Sequence, residues 1–230
     1  MAPSPVERHV RVPRTARFFQ VGAVGPETRE LWVACHGYGQ LAAPFARALE
    51  PLNDGTRVLL APEGLSRFYL DDPAKRHGAD SPVGASWMTR EDREREITDY
   101  VEYLDLVVSE VQRELERRDT RVVALGFSQG VATACRWTAF GHTKIHRLIV
   151  WGGSIPTDLP TDRGDQLFRG AVVTLVAGRA DRLVPIDALE RDRRELAKRG
   201  IHATLVTHDG GHSLNSDGLR ALAAAASSGA

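Results

Sequence analysis

The chain has 230 residues, enough to bury a sizeable core without help from disulfides or metals, and it suits one domain. Apolar residues make up 42% and charged residues 26%, a globular mixture that excludes a mostly disordered chain. Lysine plus arginine and aspartate plus glutamate each number 30, so no global basic field exists to hold nucleic acid.

No apolar run approaches the ~20 residues of a membrane span. The opening Met1-Ala-Pro-Ser-Pro-Val-Glu-Arg has no apolar signal core, which predicts a cytoplasmic chain. Cys35 and Cys135 fall in apolar stretches and are expected as reduced core residues.

Short β-rich runs then alternate with helical patterns. Strands are expected over Ala16–Val21, Glu30–Cys35, Thr56–Ala61, Arg121–Leu125, Ile145–Trp151, Ala171–Ala177 and Ala203–Thr207. Most are continuous apolar runs ended by glycine or proline, as in parallel sheets covered on both faces. Ile97, Val101, Leu104, Val108, Val111 and Leu115 recur at helical spacing, predicting a helix from about Arg90 to Arg117 with Thr89 as its N-cap. Further helices are expected over Gln129–Phe140, Pro185–Arg199 and Asp217–Ala226. The alternation implies βαβ units and a central, mostly parallel sheet with helices on both faces.

Glu63 to Met88 fits no element. Its apolar Leu65, Phe68, Tyr69, Leu70, Trp87 and Met88 are interleaved with charge, which predicts a partly exposed flap. As it follows a strand end, it is expected to wall a substrate pocket, with Trp87 the foremost contact.

Gly126-Phe127-Ser128-Gln129-Gly130 ends one strand and opens a helix. That is the setting of a nucleophile elbow, where glycines let strand and helix approach and the helix N-terminus favours developing negative charge. A serine hydroxyl needs a base. His142 follows a helix end and His146 falls in a strand, so both are expected to be packed or solvated. Of His208 and His212, the second stands beyond a Gly-Gly pair after the last strand and is the expected base. The same glycines argue against a helical His-x-x-x-His metal site.

The base needs an orienting carboxylate. Asp181 follows the strand Ala171–Ala177 and is the expected acid, with Asp158 as its rival. Leu183 and Val184 beside Asp181 are further substrate-contact candidates. An oxyanion hole needs two backbone N–H groups. Gln129 would supply one, and the loop His36-Gly37-Tyr38-Gly39 the other, from Tyr38 in preference to Gly37. His36 is expected to brace that loop.

Taken with Asp181-x-x-Val184-Pro185 and Gly211-His212-Ser213, these motifs resemble the phospholipase/carboxylesterase family of α/β-hydrolases, to which acyl-protein thioesterases and small bacterial carboxylesterases belong. The resemblance covers roughly Leu31 to Leu222, and the order Ser128, Asp181, His212 is that of α/β-hydrolases. This sequence departs from the family at Gln40, Val131 and Ser86-Trp87-Met88-Thr89. The resemblance implies a single α/β-hydrolase domain that hydrolyses carboxylic esters, in a family that acts on esters and thioesters of varied acyl length, without naming the small-molecule ester; no cofactor is expected, and the flap at about 63–88 belongs to the same domain. The residues leave open a non-catalytic ligand-binding protein and an acyltransferase using the same triad. They say nothing of the oligomeric state.

Overall fold

A computed structural model describes residues 4–72, 74, 76–115, 119–159, 168 and 170–227. Its main sheet has seven strands: β1 (Phe18–Val21), β2 (Glu30–Cys35), β3 (Arg57–Pro62), β6 (Arg121–Phe127), β7 (Arg147–Trp151), β8 (Val172–Gly178) and β9 (Ala203–His208). The order is β1-β3-β2-β6-β7-β8-β9. Only β1 is antiparallel to its neighbour; the rest of the sheet is parallel.

Why the sheet is covered on both faces is visible in β2, whose six residues are all buried. Its side chains alternate between layers. Leu31, Val33 and Cys35 pack with α2 (Arg93–Gln112), α3 (Gln129–Phe140) and α4 (Ile186–Lys198), through residues such as Leu104, Ala134 and Leu189. Trp32 and Ala34 pack with α1 (Ala42–Ala48) and α5 (Ser216–Ser227), through Phe45, Ala46, Leu219 and Leu222.

The long helix is shorter than its periodicity suggests, ending at Gln112; residues 116–118 lie outside those described. Its N-cap also needs correcting. Asp92, at φ 45°, precedes the first helical residue and makes no side-chain cap. Thr89 is tied elsewhere: its hydroxyl accepts from the Glu91 N–H at 3.1 Å, and its own N–H donates to Glu96 at 2.6 Å.

The segment 63–88 is not irregular throughout. It forms an antiparallel hairpin of β4 (Ser66–Tyr69) and β5 (Val83–Ser86). The hairpin is joined to the loop after β2, since the Gly39 N–H donates to Ala85 O at 2.9 Å and the Ala85 N–H to Gln40 O at 3.2 Å. Gly84 makes this possible. A Cβ there would meet Gly39 O at 2.5 Å.

No helix among the described residues is long and apolar enough to cross a membrane. Cys35 and Cys135 are buried and unpaired, and burial pushes both thiols far up.

Burial also holds His36 and His208 below the ordinary histidine value. For His36 a hydrogen bond to Gly37 O opposes the shift, and for His208 the nearby Asp181 and Asp209 oppose it. The unfolded chain therefore binds protons near pH 6.5 that the folded one refuses, and ∂ΔG/∂pH is positive there. Stability is expected to fall as pH drops below about 6.5. Urea midpoints between pH 7.5 and 5.5 check this, and a flat midpoint would contradict it.

Candidate active site

Parallel strands all deliver their C-terminal ends to one edge, where α/β proteins build their sites. β6 ends at Phe127, and Ser128 sits on the turn into α3 at φ 54°, ψ −118°. This left-handed backbone is strained for serine. The surroundings over-determine it: the Ser128 N–H donates to Trp151 O at 3.0 Å, and Ser128 O accepts from the Val131 N–H at 3.0 Å. The flanking glycines are steric necessities. A Cβ on Gly126 would lie 2.4 Å from Gly130 O, and one on Gly130 would lie 2.1 Å from Cys35 O.

His212 comes from the turn after β9. Its Nε2 lies 2.9 Å from Ser128 Oγ and its Nδ1 2.8 Å from Asp181 Oδ2. Asp181 follows β8 and is buried. Its second oxygen, Oδ1, accepts the Leu183 N–H at 2.8 Å and the Val184 N–H at 2.9 Å. Burial alone would raise this carboxyl. The amides of Val184 and Leu183 and the pairing with His212 together outweigh burial and hold it below the usual carboxylate value. An ionised carboxylate only accepts hydrogen bonds, so it places the imidazole proton on Nδ1 and leaves the Nε2 lone pair facing Ser128.

The rival acid is engaged elsewhere. Asp158 accepts from Arg136 at 3.1 and 3.2 Å and from Arg93. His142 and His202 are exposed, and His146 Nδ1 accepts the Val122 N–H at 3.0 Å. His208 is buried beside Trp151, with ring centroids 5.3 Å apart.

The loop after β2 reaches Ser128: a Cβ on Gly37 would lie 3.2 Å from Ser128 Cβ. Its amides can be sorted by their partners. The Gly37 N–H donates to Gln40 Oε1 at 2.7 Å, and the Gly39 N–H is held by Ala85. Among the described residues the Tyr38 and Gln129 N–H groups have no protein acceptor. His36 braces this loop from below, its Nδ1 2.8 Å from Gly37 O and its Nε2 accepting the Gly64 N–H at 2.9 Å.

A tie between the two candidate donors was not read from the sequence. The Gln129 side chain, on the residue after Ser128, donates from Nε2 to Ser86 Oγ at 2.9 Å and to Met88 O at 3.0 Å. Its Oε1 accepts the Trp87 N–H at 3.3 Å. Ala85, one residue before Ser86, holds Gly39 and Gln40. Strand β5 and residues 86–88 thus connect the Tyr38 loop to the start of α3. Gln129→Leu keeps the backbone amide and removes this tie. We expect kcat to fall roughly ten- to a hundredfold, less than outright loss of an oxyanion donor, with KM little changed. Steady-state kinetics check it, and a mutant with wild-type kcat would show that the tie is dispensable.

Of the expected substrate contacts, Trp87 needs correction. Trp87 is fully buried, its Nε1 donating to His36 O at 2.9 Å and its ring 6.3 Å from that of Tyr100. It therefore supports the site from the core and does not wall a pocket. Leu65 and Met88 pack against the same core. Tyr69 stacks on His77 with ring centroids 4.0 Å apart, and the Phe68 ring lies 5.2 Å from that of Tyr38, inclined by 31°. Leu183 is 74% exposed, and Val184 packs on the core.

A cleft of about 470 Å³ beside His212 is lined by Leu41, Pro44, Phe45, Phe127 and Leu214, among others, and among its described residues the 63–88 segment gives it only Val83. A second cavity, about 690 Å³, opens between α2 and the loop at His142–Lys144 and contains none of the Ser128 site.

No family model matches the chain, and no curated protein matches it by sequence. Solved structures do. Zea mays acyl-protein thioesterase 2 superposes with a TM-score of 0.70 at 17% identity, over 93% of this chain and 99% of its own. For a carboxylesterase from Mesorhizobium loti the values are 0.66 and 20%, over 94% and 95%. For the Bacillus cereus carboxylesterase they are 0.65 and 14%, over 93% and 94%. An esterase, carboxylesterases, an acyl-protein thioesterase and a phospholipase/carboxylesterase are thus among the structural neighbours. At these identities the likeness is one of architecture, and the chain has the α/β-hydrolase fold.

Proposed function

We propose that the chain is a single-domain serine hydrolase of small carboxylic esters, working in the cytoplasm through Ser128, His212 and Asp181. The observation that carries this reading is the hydrogen-bonded row Ser128 Oγ–His212 Nε2 at 2.9 Å and His212 Nδ1–Asp181 Oδ2 at 2.8 Å. The esterase and thioesterase neighbours support it, and the unpaired buried cysteines suit a reducing compartment.

In the proposed reaction Ser128 Oγ attacks the ester carbonyl carbon while its proton passes to His212 Nε2. The carbonyl oxygen becomes an oxyanion facing the Tyr38 and Gln129 N–H groups. The carbon–oxygen bond to the alcohol then breaks, and His212 gives its proton to the departing oxygen. Water attacks the acyl-Ser128 ester, again losing its proton to His212, and the acid leaves as Ser128 Oγ recovers a proton. Asp181 stabilises the transient imidazolium throughout. All of these groups belong to the protein, so the cycle invokes no cofactor.

The test is turnover of a panel of p-nitrophenyl esters and acyl thioesters, alongside labelling with a fluorophosphonate. The expected result is acid release and one labelled peptide, that containing Ser128. Absence of both would favour a ligand-binding protein on the same fold. A new ester formed on adding an alcohol would favour acyl transfer.

A further inference from the structure

We propose that the apolar cleft beside His212 receives the leaving alcohol of the ester and not its acyl chain, so that the substrates are neutral esters of apolar alcohols. This rests on the hydrolase reading above. The proton His212 takes from Ser128 must be handed to the departing oxygen, so the group bearing that oxygen lies against the imidazole. The oxyanion faces the Tyr38 and Gln129 amides. The acyl substituent takes the remaining direction of the tetrahedral carbon. A cavity that has His212 in its own wall therefore stands on the alcohol's side.

The cleft meets this condition. The loop carrying His212, Ser213 and Leu214 contributes one part of its wall, and Gly39, Gln40, Leu41, Pro44, Phe45 and Ala48 contribute another. Phe127 links the two, with its ring 5.1 Å from that of His212 and inclined by 40°. The start of α3, beyond Ser128, contributes nothing to it. Its volume of about 470 Å³ is that of a small-molecule site.

The lining also restricts chemistry. Among the described residues His212 is the one titratable side chain in it, and no lysine, arginine or carboxylate joins the wall. The wall thus offers a phosphate or carboxylate on the alcohol, among the described residues, no cation to pair with, and burying such a group unpaired costs free energy. An alkyl or aryl alcohol would instead gain with every methylene it buries. Neutral apolar alcohols fit the cleft. Nucleotide thiols and phosphorylated headgroups do not.

Two matched ester series test the assignment, with hydrolysis followed by acid release. One varies the alcohol, from ethyl to octyl acetate; the other varies the acid, from ethyl acetate to ethyl octanoate. We expect kcat/KM to rise by up to about fourfold per methylene added to the alcohol, and less per methylene added to the acid. An acetate whose alcohol ends in a phosphate should be at least about tenfold slower than its neutral counterpart. Ala48 is exposed on the lip of the cleft, so Ala48→Trp should flatten the alcohol gradient without disturbing the core, leaving the acyl gradient in place. A steeper acyl gradient, or an alcohol gradient unmoved by Ala48→Trp, would overturn the inference while esters are still hydrolysed and Ser128 still labels. No turnover in either series and no labelling would overturn the hydrolase reading, and this inference with it.

Discussion

Ser128→Ala is expected to give a folded protein that hydrolyses esters about a millionfold more slowly, the scale of loss when a triad nucleophile is removed. Among the described residues the hydroxyl has one hydrogen-bond partner, His212 Nε2 at 2.9 Å. The elbow is held instead by the backbone, through the Ser128 N–H to Trp151 O and Ser128 O to the Val131 N–H. Alanine keeps those bonds and meets the same φ of 54°, so the turn survives while the nucleophile is lost. The check is kcat beside a thermal midpoint near that of the wild type. A folded mutant with near-normal turnover would remove Ser128 from the mechanism.

Asp181→Asn is expected to slow turnover by roughly 10³ to 10⁴, and the structure gives a reason specific to this site. The Leu183 and Val184 N–H groups both point at Asp181 Oδ1. Asparagine must turn its carbonyl oxygen to these two donors. Its NH₂ group then faces His212 Nδ1, which has to become an acceptor. The imidazole proton moves to Nε2, and Nε2 can no longer take the proton of Ser128. The expected signature is a low kcat with Ser128 still in place. If Asp158→Asn gave that loss instead, the acid would be the carboxylate after β7. Asp158 is bound to Arg93 and Arg136, and its loss is expected to leave turnover within a few fold.

The elbow could be read from five residues because its constraints are local. Gly126 and Gly130 face backbone atoms closer than any Cβ allows, and a strand-turn-helix with a serine at its tip needs small residues at those positions. Strand ends could be read for a similar reason: buried parallel strands are apolar throughout and stop at glycine or proline. Once the sheet is parallel, Ser128, Asp181 and the loop of His212 arrive at one edge, and in the structure hydrogen bonds join all three.

The surroundings of the site were less legible. Trp87 reads as an aromatic in a loop, and loops are usually exposed. Its burial depends on acceptors contributed by remote elements: its Nε1 finds His36 O, and its N–H the Gln129 side chain. Likewise, the choice of Tyr38 over Gly37 as an unengaged amide depends on Gln40, whose side chain turns back to bond Gly37. Nothing in the order of residues dictates that turn. The cleft follows the same pattern. Its wall joins α1, the end of β6 and the loop after β9, segments far apart in sequence.

By itself, the sequence determined the parallel architecture, the glycine-walled elbow and the candidate acid and base, because hydrophobic runs and steric exclusions act over a few residues. Only the tertiary structure decided which residues wall the cleft beside His212, which aromatic is core and which amides, among the described residues, have no protein acceptor. Those properties belong to pairs of residues from separate elements, and packing alone brings such pairs together.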